Sequence, residues 1–248
     1  MNKVGLLISD LSGFYVLRQI REKRFDLDID ILYDPIGYFE SRDEAYVRSY
    51  IDRNKERFSH LDIENPIVLH ENWTTELAHW ESYVEQVEEV QKGKKLLRLK
   101  SQGQGNILSS PLLFRTVQDG LLQRNYTLFI LEEYLNQVKG DWDGLILASP
   151  GYGFWKKEIL TWASNNKMSL FDPVDSILNG FKELGPGKGQ VRFFWTKRDF
   201  DFERRAREIL QEEICFKTYY SHPWLRGEGR KKKPSFRDRL EEIRERRV

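Results

Sequence analysis

The sequence predicts an α/β protein of two pseudo-symmetric lobes, each a mainly parallel sheet flanked by helices. Three observations predict it. Short apolar runs alternate with segments of helical period along most of the chain, the order that builds parallel sheets. A polar, glycine-bearing stretch at 92–106 divides two such series. The 248 residues, 40% of them hydrophobic, suffice for two modest cores.

Residues 4–8 (VGLLI) form a buried-strand pattern, and 14–20 (FYVLRQI) repeat apolar residues at helical spacing after the turn at Ser12 and Gly13. Residues 27–33 (LDIDILY) alternate as a strand, and Asp34, Pro35 and Gly37 interrupt them before a charged helix at about 41–58. A third strand is expected at 66–69, followed by a helix at about 75–90 that Asn72 or Thr74 can cap. In the second series a helix is expected over 116–137, a strand over 143–148 (DGLILA) and a helix over 154–165. A strand at 168–171, a helix at 174–184, a strand at 191–195 (VRFFW) and a helix at 202–212 complete it. The expected units are an N-terminal lobe at 1–95 and a C-terminal lobe at 106–212. A final segment at 213–225 could return to the first lobe, and a basic tail at 226–248 is helical or disordered.

The 40 basic and 39 acidic side chains nearly cancel, which argues against a nucleic-acid-binding field over the whole molecule. No apolar run approaches the roughly 20 residues of a membrane helix, and the N-terminus does not read as a signal peptide, so the cytoplasm is the expected compartment. One cysteine, Cys215, excludes an internal disulfide or a CxxC site. The histidines His60, His70, His79 and His222 lack metal-ligand spacing, so no metal or other cofactor is expected.

Several strings carry a family resemblance. Residues 4–20 read VGLLISDLSGFYVLRQI, in register with DSGVGGLTVLREI, and Ser9, Gly13, Val16, Leu17 and Ile20 match. Residues 142–154 (WDGLILASPGYGF) parallel D-x-L-V-L-G-C-T-H-Y-P-L through Asp143, Leu145, Leu147 and Tyr152. TVQDG at 116–120, LFDP at 170–173 and FFWT at 193–196 followed by Phe202 echo three further motifs. Together they resemble glutamate racemase and its Asp/Glu racemase relatives over residues 3–215.

The resemblance implies a cofactor-independent racemase fold whose catalytic groups are replaced here. Exchanging the α-proton of an amino acid needs an acid-base group on each face of the substrate. The family uses two cysteines, assisted by an aspartate and a histidine. By the same register, Glu71 stands at the first cysteine, Ser149 at the second, Gly151 at the histidine and Ile8 at the aspartate. No catalytic residues are therefore expected, because a serine hydroxyl needs a base beside it and SPGYG offers none. Ser9, Asn72, Thr74, Thr75 and Tyr152 are candidate ligand contacts, for a small carboxylate or other anion between the lobes; for the threonines and Asn72, simple capping is the plain alternative.

Two functions from different classes follow. The first is a catalytically inactive binding, scaffold or regulatory protein with another protein as partner, its cleft crowded by Trp73, Tyr152, Phe154 and Trp155. The second is an isomerase, decarboxylase or lyase on a small carboxylate with Glu71 or His70 as base. The tail carries ten Lys or Arg against five Asp or Glu and includes Arg230, Lys231, Lys232 and Lys233, candidate partner contacts on what is otherwise a solvated extension. Dimerisation is compatible with the aromatic content.

Overall fold

The computed structural model describes residues 3–35, 44–63, 66–69, 91–101, 105–122, 125–195 and 199–211. They lie in one compact unit, Met1–Lys217; residues 218–248 form a second unit outside the described residues.

The strands are β1 (Lys3–Ile8), β2 (Asp28–Tyr33), β3 (Ile67–Leu69), β4 (Leu96–Lys100), β5 (Ile107–Ser109), β6 (Gly144–Leu147), β7 (Ser169–Phe171) and β8 (Val191–Trp195). They form two parallel four-stranded sheets ordered β3-β1-β2-β8 and β5-β4-β6-β7. Parallel strands covered on both faces need apolar side chains on both, which is why β1 and β6 are continuous hydrophobic runs. The helices are α1 (Gly13–Lys23), α2 (Glu44–Ser59), α3 (Pro111–Gln118), α4 (Asn125–Leu135), α5 (Lys156–Asn165), α6 (Pro173–Gly180) and α7 (Phe200–Leu210). Their ends follow local chemistry. Asp172 accepts from the Val174 amide ahead of Pro173, Asp199 accepts from the Phe202 amide, and Arg21 and Lys23 sit where the α1 dipole favours cations.

Four expectations need correction. The strand at 191–195 belongs to the first sheet, where Ile29 to Tyr33 pair with Val191 to Trp195, so the chain returns there by residue 191 and not after 212. The stretch at 92–106 contains β4, whose Leu97 and Leu99 point into the second core. The single helix expected at 116–137 is two helices, α3 and α4, because Gly120 takes a left-handed conformation (φ 71°) after α3. Residues 154–155 and 181–183, expected in helices, belong to 3-10 turns at 150–155 and 181–183 that flank α5 and α6. The expected helix at 75–90 lies outside the described residues.

Each sheet has its own core. In the first, Phe202 stacks on Tyr33 with ring centres 3.9 Å apart and contacts Trp195 and Phe14, closing α1 and α7 over one face. Asp30, 1% exposed, is held by both nitrogens of a bidentate Arg192 fork at 2.6 Å and by Lys3 at 3.6 Å. The second core gathers Leu97, Leu99, Leu113, Val117, Leu145 and Leu147 with Trp155.

Candidate functional site

In open parallel sheets, ligands collect beyond the carboxyl ends of the strands. Here Ser9 and Asp10 follow β1, Asp34 follows β2, Ser110 follows β5, Ser149 follows β6 and Asp172 follows β7. The ends of the two sheets approach each other. A side-chain carbon placed on Gly151 would lie 3.1 Å from Cβ of Ser12 and 2.8 Å from a methyl of Val117.

A side chain at Gly151 would therefore need the Val117 methyls to move and Ser12 to give slightly. Ile8 is 2% exposed and lies beneath Gly13, where an added carbon would be 2.4 Å from its side chain. Ile8 is thus core packing under the start of α1. Ser149 is fully buried, its hydroxyl has no hydrogen-bond partner among the described residues, and it does not cap the turn it precedes.

Tyr152, a candidate ligand contact, is fully buried in the second lobe. Its hydroxyl lies 2.8 Å from Ser110 Oγ and donates to the Ser110 carbonyl oxygen at 3.3 Å. Trp155, expected to crowd a cleft, is likewise in that core, with its indole N–H donating to the Leu122 carbonyl at 3.0 Å. Of the expected aromatic filling, Phe154 lies where the lobes meet, edge-on to Tyr15 at 5.6 Å. Ser9 remains at the strand ends, partly exposed, with its hydroxyl 3.5 Å from Asp10. His70, Glu71, Asn72, Trp73, Thr74, Thr75, Cys215 and Arg230 with Lys231, Lys232 and Lys233 lie outside the described residues.

Asp10 is the polar group the motif comparison passed over. It follows β1 by two residues, and its carboxylate accepts from the Ser12 amide at 2.8 Å. Burial pushes its pKa above the usual carboxylate value, against the opposing pull of its bonds from Ser12 and Ser9. Asp10, Asp34 and Asp199 all act on the Tyr33 hydroxyl, whose pKa is raised first by burial and then by these carboxylates. The signal was present in the sequence, since a carboxylate in the tight turn after the first parallel strand falls at the sheet's functional edge.

Chemically, the described strand ends offer carboxylates and hydroxyls. Among the described residues no group of three or more His, Cys, Asp or Glu side chains is placed to hold a metal ion. Among them also, no helix is long and apolar enough to cross a membrane.

No family model matches the chain. A glutamate racemase of Aquifex aeolicus (strain VF5) is 27% identical over 106 residues, which cover 42% of this chain and 41% of that enzyme. The aligned region thus spans about two fifths of that relative's length. The Thermus thermophilus glutamate racemase in complex with β-chloro-D-alanine superposes with a TM-score of 0.69 at 19% identity, covering 86% of this chain and 94% of that one. The Campylobacter jejuni enzyme gives 0.63 at 19%, covering 85% and 99%. The Escherichia coli enzyme, solved with L-glutamate and the activator UDP-MurNAc-Ala, gives 0.60 at 15%, covering 87% and 97%. The chain is therefore similar to glutamate racemase in sequence over part of its length, and it has the two-lobed α/β fold of those enzymes.

Proposed function

We propose that this chain keeps the glutamate-racemase fold without its two-thiol chemistry and acts as a binding protein, a scaffold or regulator whose partner is another protein. The observation that carries the reading is Ser149. The motif register assigns it to the second cysteine's place; it is fully buried, and its hydroxyl has no partner, hence no base, among the described residues. A hydroxyl becomes a competent proton acceptor only beside a group that takes its proton. The buried apolar side chain of Ile8 and the occupied space around Gly151 support the same reading, since the first offers no ionisable group and the second would need Val117 to shift before it could hold one.

The test is co-purification of the tagged full-length protein and of a form lacking residues 226–248, followed by mass spectrometry of proteins and small molecules. The proposal expects one stoichiometric protein partner, captured by the full-length chain and reduced or lost without the tail, with equal melting temperatures for the two forms. Recovery of a small metabolite that is converted by the purified chain, with no protein partner, would overturn it.

A further inference from the structure

We infer that Tyr15, Asp172, Lys156, Asp175 and Lys23 form a polar latch that fixes the two lobes in one relation, so that any separation of α1 from the turn at 150–155 must break it. The ring begins on α1, in the first lobe. Tyr15 is 4% exposed and its hydroxyl donates to Oδ2 of Asp172, beyond β7 of the second lobe, at 2.6 Å. The same oxygen receives Lys156 Nζ at 2.9 Å, while Oδ1 of Asp172 caps α6 through the Val174 amide at 3.1 Å. Lys156 also reaches Asp175 at 3.0 Å, and Asp175 returns to α1 through Lys23 at 3.6 Å. Five side chains thus close a circuit that leaves α1, crosses to the second lobe and comes back.

Steric fit keys the circuit to one geometry. The Tyr15 ring lies against the Gly153 backbone so closely that a carbon added there would be 2.0 Å from the ring. Apolar surfaces alone could slide past each other, whereas hydrogen bonds weaken steeply with distance and angle. The Asp172 side chain is only 1% exposed, so losing one donor leaves a carboxylate short of partners away from water, where that loss is most costly. Burial, followed by Asp172, raises the Tyr15 pKa, so its hydroxyl keeps the proton it donates. Desolvation pulls the Lys156 pKa down, but Asp172 and Asp175 outweigh it and hold the ammonium charged. The latch does not depend on whether the chain catalyses a reaction.

The experiment is amide hydrogen exchange on the full chain, comparing wild type with Tyr15→Phe, which keeps the ring and removes only the donor. Loss of one buried hydrogen bond to a charged acceptor corresponds to roughly tenfold to hundredfold more frequent opening. That acceleration is expected in peptides on both sides of the junction, around 11–17 and 149–156, with exchange in β2 and β4 unchanged. Lys156→Gln, which leaves the tyrosine bond in place, should accelerate the same peptides by less. Acceleration of all amides alike, acceleration on one side only, or none would overturn the latch.

Discussion

Replacing Ser149 by alanine should stabilise the protein. The side chain is fully buried and its oxygen has no hydrogen-bond partner among the described residues. Burying a hydroxyl without a partner costs about 1–3 kcal/mol, and removing it forfeits only a few tenths of dispersion contact, at roughly 0.1–0.2 kcal/mol per atom pair. No helix cap is lost, because Ser149 makes no capping bond. The net gain is about 1 kcal/mol, or a rise of roughly 2–4 °C in Tm for a chain of this size. Ser110→Ala is the matched control. That serine is equally buried, but its hydroxyl lies 3.0 Å from the Lys100 carbonyl and 2.8 Å from the Tyr152 hydroxyl, so its loss should cost about 1–2 kcal/mol. Thermal melts followed by circular dichroism read both signs. A fall in Tm for Ser149→Ala comparable to that for Ser110→Ala would show that the Ser149 hydroxyl is bonded, and would refute the reasoning.

Phe202→Ala removes the ring that stacks on Tyr33 and touches Trp195 and Phe14, and should cost about 3–5 kcal/mol, read as a lower urea midpoint at unchanged slope. For Asp10 the folded pKa lies above its ordinary 3.8, so the folded state binds the proton more tightly than the unfolded chain. The stability it lends is full below that ordinary value and is lost as pH rises through the folded pKa. Asp10→Asn, which keeps an acceptor for the Ser12 amide, should therefore be more stable than wild type near pH 7 and lose its advantage toward about pH 4. An advantage that grows on acidification would contradict the assignment.

Much of the fold was legible because parallel strands announce themselves. VGLLI and DGLILA can be buried on both faces, and helical spacing in FYVLRQI fixes the α1 face that Phe14 and Leu17 turn inward. The strand LLRLK was harder to read, since its arginine and lysine mask an alternation in which Leu97 and Leu99 alone face the core. Local pattern also could not assign VRFFW to a lobe. Its membership is decided by pairing with residues more than 150 positions earlier, among them Asp30 with Arg192. At the candidate site the motif register located Ile8, Ser149 and Gly151, but not what surrounds them. That a side chain at Gly151 would press on Val117 and Ser12 depends on residues that only the folded chain brings beside it. The surroundings of Tyr152 were hidden for a related reason. Its place in a loop motif suggested a ligand, whereas Ser110, 42 residues earlier, takes its hydroxyl into the core.

The most direct measurement is α-proton exchange. The purified full chain is incubated with L-glutamate, and separately with D-glutamate, in deuterated buffer, and deuterium at the α-carbon is followed by mass spectrometry alongside chiral separation. The reading as a protein inactive toward glutamate predicts no deuterium and no opposite enantiomer above the protein-free blank. Deuterium incorporated by the wild type and abolished in Ser149→Ala would contradict it.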